Sequence, residues 1–174
     1  MHFLLKVSFY FLLLKSLFST EFIMTSSGIE NFPVVESYDN KKNTFGTYTN
    51  QWQFTTNTSM FGFGTGTGVF EINNGKQTNN IFNKVTDSFG NIGYIKSIPS
   101  EEKPSIPGTS IASWIWLGGT GPFAELKGIV MTGAYFQMGQ NRHKNGNFLW
   151  KGKAVNIPEN LIEKINSYKG KEEN

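Results

Sequence analysis

The sequence predicts an all-β protein, a small antiparallel eight-stranded β-barrel with a short C-terminal helix. Strand-like segments recur at short spacing over residues 47–155, and no segment of helical period lies among them. Sixteen Phe, six Tyr and four Trp suit half-buried pleated surfaces, and nineteen Gly suit the turns between strands. A closed barrel would also remove the sheet edges through which an aromatic-rich chain aggregates. A β-sandwich is the alternative architecture.

Alternation of apolar and polar residues locates the strands. In residues 47–54, Tyr48, Trp52 and Phe54 share one face, which only Asn50 interrupts. The other strands are predicted at residues 61–63, 69–72, 81–86, 93–98, 110–117, 128–137 and 147–155. Asn73-Asn74-Gly75 is typical of a tight hairpin turn, whereas three prolines predict a loop over residues 99–108.

The C-terminal residues 156–174 break the strand pattern. Pro158 suits the first turn of a helix, and the apolar residues that follow it recur at helical spacing. We expect a short helix there that either packs one apolar stripe on the barrel or caps its mouth.

The N-terminal residues 1–20 resemble a secretory signal peptide. A positively charged start precedes a long apolar run that Lys15 interrupts, and this run is short for a membrane span. Export to the periplasm or the extracellular space is therefore predicted. An uncleaved membrane anchor and a translation start at Met24 are the alternatives. Residues 21–46 read as an irregular segment leading into the barrel.

Charge and composition exclude several classes of function. The net charge is +3, but Lys6 and Lys15 lie in the predicted signal, so the remainder carries 14 basic against 13 acidic residues. This balance provides no electrostatic footprint for nucleic acid. The chain has no Cys, and His143, the one histidine beyond the N-terminal segment, lies in a polar hairpin tip. We therefore expect no metal site and no cofactor.

Two glycine-rich segments carry a family resemblance. They are Gly64-Thr-Gly-Thr-Gly-Val-Phe70 and Gly118-Gly-Thr-Gly-Pro-Phe-Ala-Glu-Leu-Lys-Gly128. The second, preceded by Trp114-Ile-Trp-Leu117, resembles bacterial relatives of the allene oxide cyclase and dirigent barrels, and Trp150-Lys-Gly152 resembles their closing strand. The resemblance implies a barrel over residues 47–155 whose lumen holds a lipid-like or phenolic molecule. It transfers no catalytic residue, because its specific part is a glycine turn.

The physics of the Gly118–Gly128 segment is structural. Its glycines allow a sharp turn after a strand, so that Phe123 and Leu126 can fill the barrel end as a plug. A phosphate-binding loop is the competing interpretation. No Lys-Ser/Thr pair follows the glycines and no helix is predicted there, so phosphate binding is disfavoured.

Aromatic side chains are the candidate ligand-binding residues. They are Trp52, Phe54, Trp114, Trp116, Tyr135 and Trp150, which either line an apolar cavity or simply fill a core. Catalytic candidates are weak. Glu71 alternates with apolar neighbours and is expected to face solvent, but facing the lumen it would be the best general base; Tyr135 is the other candidate.

Residues 110–117 are apolar on both faces, with Trp114 and Trp116 on one and Ile111, Ile115 and Leu117 on the other. One face therefore lines the lumen, and the C-terminal helix or a second copy of the chain is expected to cover the other. The leading functional prediction is an exported barrel that binds a small hydrophobic molecule. A cofactor-free isomerase or cyclase acting on an unsaturated lipid-like substrate and a structural envelope protein are the alternatives.

Overall fold

The predicted barrel is confirmed: eight antiparallel strands close on themselves in a computed structural model of the protein. The structure describes residues 21–38, 43–74, 76–100, 102, 104–138, 145–154, 157–158 and 160–168. The predicted signal or anchor segment (residues 1–20) and His143 lie outside these ranges.

Nine strands and two short helices lie in the described ranges. The strands are β1 (Ile23–Asn31), β2 (Val35–Tyr38), β3 (Asn43–Thr56), β4 (Phe61–Asn73), β5 (Lys76–Asp87), β6 (Ile92–Ile98), β7 (Ser110–Gly119), β8 (Val130–Met138) and β9 (Gly146–Ala154). The helices are α1 (Pro122–Glu125) and α2 (Leu161–Ser167). From β3 to β9 each strand pairs with its successor, and β2 pairs with β3 outside the ring.

Strand β1 closes the barrel, where an irregular segment was expected over residues 21–46. It pairs on one side with β9 and on the other with β3, so that Ser26 lies opposite both Trp150 and Phe54. Its sequence, Met24-Thr-Ser-Ser-Gly-Ile-Glu30, alternates in burial but not in hydropathy, because its inward residues include Ser26 and Glu30. Hydrophobic periodicity therefore gave no signal for it.

Strand β4 is continuous, although two separate strands were predicted at 61–63 and 69–72. Four of its inward positions (62, 64, 66 and 68) are glycines, which carry no hydropathy signal. Gly64 pairs with Trp52 of β3, and a Cβ atom at Gly64 would overlap the Trp52 indole. The glycine therefore lets a large ring lie flat across the neighbouring strand. The eight-strand count came out right because splitting β4 offset the missed β1.

Two helices close one end of the barrel. Phe123 and Leu126, in and after α1, are fully buried in the core beside Trp116, onto which Phe123 stacks at 5.3 Å. The predicted plug is thus present, and Gly118, Gly121 and Gly128 take positive φ in its turns. The expectation that no helix begins there is wrong, since α1 starts at Pro122, but four residues are too short for an anion-binding terminus.

Helix α2 caps the same end rather than packing along the barrel wall. Its two buried residues, Leu161 and Ile165, join the core cluster that contains Phe123 and Leu126. On β7, Trp116 is buried in that cluster whereas Leu117 on the opposite face remains 43% exposed. The element that was expected to cover the outer face of β7 therefore does not extend over Leu117.

Candidate functional site

The middle of the barrel carries a polar layer between two apolar clusters. The larger cluster fills the closed end, and a smaller one, built on Tyr48, Phe70 and Ile81, lies towards the other end. Between them the inward positions of β1, β3 and β5 are polar: Glu30, Asn50 and Asn83, each at most 5% exposed. Buried polar groups in a small barrel cost free energy unless they are paired, so this layer is the candidate functional site.

Glu30 is the centre of the layer. Its carboxylate Oε2 accepts hydrogen bonds from the hydroxyl of Tyr48, at 3.2 Å, and from the hydroxyl of Tyr135. Asn50 Nδ2 donates in turn to the Tyr48 hydroxyl at 3.1 Å. Strands β1, β3 and β8, far apart in sequence, therefore converge on one carboxyl group.

Burial sets the proton affinities in this cluster. Removal from water raises the pKa of the Glu30 carboxyl above its ordinary value, and the hydrogen bonds from Tyr135 and Tyr48 oppose that rise. Burial also raises the pKa of both tyrosines, and the nearby Glu30 charge adds to it. Both phenols thus keep their protons, and the Glu30 carboxyl binds its proton more tightly than an exposed glutamate does.

A second hydrogen bond links the layer to the tryptophans. Trp52 Nε1 donates to Asn83 Oδ1 at 2.9 Å across β3 and β5. Gly66, on β4 between them, provides room for both amides, since a Cβ there would overlap the side-chain oxygens of Asn83 and Asn50.

Three polar atoms of the layer are buried and have no hydrogen-bond partner among the described residues: Glu30 Oε1, Asn50 Oδ1 and Asn83 Nδ2. Native proteins leave few such atoms, and an unpaired one costs about 1–3 kcal/mol. Three in one layer point to a bound molecule or water as their partner.

A cavity adjoins the layer. Its wall is formed by Met24, Ser26, Tyr48, Asn50, Trp52, Asn83, Ile95, Trp114, Tyr135, Phe148 and Trp150. The space open to the centre of a water molecule is about 30 Å³, enough for water or a narrow group. Trp114 and Tyr135 are only half-buried, and so they mark the side on which the cavity approaches the surface.

The structure divides the aromatic residues singled out from the sequence. Trp52, Trp114, Tyr135 and Trp150 line the cavity. The other two, Phe54 and Trp116, are each 1% exposed and belong to the closed-end core. Trp52 and Trp150 also belong to that core cluster, so cavity lining and core filling apply together to these two residues.

Glu71 lies on the outside, as expected. It is a solvent-facing residue near the end of β4 and accepts a hydrogen bond from the Tyr38 hydroxyl at 2.8 Å. That hydrogen bond lowers the pKa of its carboxyl, as does a second one with Asn73. Tyr135 points inward, so of the two catalytic candidates only Tyr135 belongs to the lumen.

Sequence reasoning missed Glu30 and Asn83. Glu30 lies in the strand that hydropathy does not reveal, and its partners are 18 and 105 residues away. A usable signal existed in β3 and β5, where Asn50 and Asn83 each interrupt an apolar inward face. Two such interruptions on strands separated only by β4 indicate a polar layer.

Within the described ranges, no group of three or more His, Cys, Asp or Glu side chains is arranged to hold a metal ion. None of the helices described here has the length and apolar character needed to cross a membrane. No family model, curated protein or solved structure matches the chain.

Proposed function

We propose that this protein is an exported β-barrel that binds a small, largely apolar molecule carrying a polar group, held in the lumen. The observation that carries the proposal is the set of unpartnered buried polar atoms beside an aromatic-lined cavity. A binding site of this kind combines apolar walls with a few convergent polar groups that fix the orientation of the ligand. The resemblance to the cyclase and dirigent barrels, whose lumens take lipid-like or phenolic molecules, supports the same ligand class.

The exposure of the aromatic side chains around the cavity supports entry of a ligand past Trp114 and Tyr135. These two side chains are half-buried, whereas the rest of the aromatic wall is buried: Tyr48, Trp52, Phe148 and Trp150. Tyr135 also stacks on Phe148, with ring centroids 5.7 Å apart. A molecule larger than the present cavity requires Trp114 and Tyr135 to change rotamer, which their partial exposure permits.

Filling the lumen tests the proposal. Ser26 of β1 lines the cavity, whereas its neighbour Ser27 points outward and accepts a hydrogen bond from the Gln53 side chain at 3.5 Å. Native mass spectrometry of the protein purified from its own host should show a bound small molecule. We expect Ser26→Leu to lose that molecule and the matched control Ser27→Leu to keep it.

The outcomes separate the candidate functions. Absence of any bound molecule from the unsubstituted protein, or equal retention by both variants, would contradict lumen binding. An unsubstituted protein without a bound molecule would also favour the role of a structural envelope protein. The same spectra report the mature N-terminus, which tests export, and the oligomeric state, which tests whether copies of the chain associate.

A second function, cofactor-free isomerisation of an unsaturated apolar substrate, is favoured by Glu30. A carboxylate with a raised pKa can remove a proton from a carbon that lies between a carbonyl group and a double bond, exchange that proton with water and deliver a proton to the far end of the double bond, which moves the double bond. Asn83 Nδ2, a buried donor without a partner among the described residues, stabilises the negative charge on the oxygen of the intermediate by hydrogen bonding. Glu30 takes the general-base role that the sequence assigned conditionally to Glu71.

Solvent deuterium tests the isomerase proposal. Host lipid extract incubated in D₂O with the protein should gain carbon-bound deuterium, and Glu30→Gln should abolish the gain while Glu71→Gln leaves it unchanged. No incorporation with the unsubstituted protein, or equal incorporation with Glu30→Gln, would contradict catalysis and leave lumen binding untouched.

A further inference from the structure

We infer that the lumen selects a molecule whose polar group is a hydrogen-bond-donating cation, an amine, carried on an apolar body. This inference rests on the proposed function and specifies its ligand class. The decisive feature is the unbalanced chemistry around Glu30: unpaired acceptors outnumber unpaired donors, and no basic residue of the described ranges pairs with this buried acid.

The hydrogen-bonding capacity of the Glu30 cluster is one-sided. Both tyrosine hydroxyls donate within the cluster, and so does one of the two N–H groups of the Asn50 amide. Glu30 Oε1 and Asn50 Oδ1, both buried, remain as acceptors without donors. The tyrosine oxygens also have lone pairs to spare. Asn83 Nδ2 is the one donor of the layer without a partner among the described residues, so a ligand that completes the layer must bring more donors than acceptors, and an ammonium group brings up to three.

The charge of the Glu30 carboxylate also favours a cationic ligand. The ion pairs formed between described residues are Lys153 with Glu21, at 2.6 Å, and Lys164 with Glu125, at 3.3 Å, and both pairs are partly exposed. Glu30, which is 1% exposed, takes part in neither. An ionised carboxylate in such a place is costly unless a cation joins it. A cationic ligand would supply the missing partner.

The walls suit a cation as well as an apolar body. Trp52, Trp114, Tyr135 and Trp150 surround the cavity, and the faces of Trp and Tyr rings attract an ammonium group. A neutral alcohol would gain the apolar contacts but neither the ion pair nor the cation–π attraction. A carboxylic acid would meet the like charge of Glu30. The expected preference is therefore amine over alcohol over acid.

The indole N–H signals of Trp52 and Trp150 allow binding in the lumen to be measured by NMR. Trp52 Nε1 is bonded to Asn83 and Trp150 Nε1 donates to the carbonyl of Ala112 at 3.2 Å, so their indole N–H signals report on the lumen. We would titrate ¹⁵N-labelled protein with n-butylammonium and, separately, with n-butanol, two narrow probes of equal length. At roughly pH 8 we expect n-butylammonium to shift these signals at a concentration at least about tenfold lower, a 1.4 kcal/mol preference.

Glu30→Gln should remove the preference, because the neutral amide forms no ion pair with a cation. Glu71→Gln is the matched control: Glu71 also accepts a tyrosine hydroxyl, from Tyr38, but on the outer surface, so the preference should persist. The unsubstituted protein gives an independent readout. Its preference should fall as the pH is lowered and Glu30 is protonated, since Tyr48 and Tyr135, which face it, carry no charge that changes in this range.

Each result decides a different question. Equal response to both probes, or an undiminished preference in Glu30→Gln or at low pH, would overturn the amine inference while lumen binding stands. No lumen response to either probe, together with no molecule bound in native mass spectra, would overturn the proposed function as well.

Discussion

Glu30 is an acid placed where an apolar side chain would cost less. Its carboxyl is 1% exposed and is held by two phenols, and no basic residue of the described chain pairs with it. A buried carboxyl of this kind adds little to the stability of the fold, but it can serve in ligand recognition or proton transfer. Asn50 and Asn83 extend this arrangement, since each occupies an inward position that its own strand fills with apolar residues on either side.

The raised pKa of Glu30 makes the stability of the barrel depend on pH. The carboxyl of Glu30 binds its proton more tightly in the folded protein than in the unfolded chain. Its protonation therefore stabilises the fold fully below the ordinary pKa of 4.5, and this stabilisation is lost as the pH rises through the pKa of the folded state. The free energy of unfolding should fall by about 1.4 kcal/mol for each pH unit in that window. Glu30→Gln should remove this decline, which urea unfolding at a series of pH values would measure.

Glu71→Gln serves as the control for this prediction. The pKa of Glu71 is lowered by its hydrogen bonds, so its contribution is present above 4.5 and is lost as the pH falls through the folded value. The two variants should therefore differ from the unsubstituted protein on opposite sides of pH 4.5. A Glu30→Gln profile parallel to the unsubstituted one would show that the carboxyl is not perturbed.

At the scale of elements, the turn after β7 and helix α2 act together to close one end. Phe123 and Leu126 enter from the turn, and Leu161 and Ile165 cover them from the helix. Helix α2 has only seven residues, too few to be stable alone, so its apolar contacts hold it in place. The Lys164–Glu125 ion pair joins the two helices at an exposed site and adds little.

Truncation of the helix contact should therefore destabilise the whole barrel. Ile165 is 1% exposed, and Ile165→Ala should lower the free energy of unfolding by about 2–5 kcal/mol, since it leaves a cavity in the core. Asn166→Ala, at the exposed neighbouring position, is the matched control and should cost under about 0.5 kcal/mol. Chemical denaturation monitored by tryptophan fluorescence provides the comparison, and similar values for both variants would mean that α2 does not contribute to the core.

At the scale of the whole molecule, closure depends on β1. This strand bonds to β3 along one edge and to β9 along the other, and it brings Glu30 into the lumen. Without it two unpaired edges and a row of aromatic side chains would be exposed. The barrel therefore requires the residues that hydropathy alone did not assign to it.

Two fragments test this requirement. A chain of residues 21–168 should give a dispersed NMR spectrum and a single cooperative unfolding transition. A chain of residues 47–168, which keeps every strand expected from the sequence, should remain unfolded or aggregate because the ring cannot close. A well-dispersed spectrum from the shorter chain would mean that β1 is not needed for closure.

The sequence determined the class, most of the strands, the glycine turn with its aromatic plug and the terminal helix. Each of these rests on local signals: alternation, turn residues and helical spacing. Tertiary structure decided the rest. It alone shows that β1 completes the ring, that glycines of β4 make room for Trp52 and the asparagines, and that Phe54 and Trp116 are core whereas Tyr135 faces the cavity. Asn50 and Asn83 indicate a polar layer from the sequence, but Glu30 could not be assigned to it, because strand pairing alone brings it to partners up to 105 residues away.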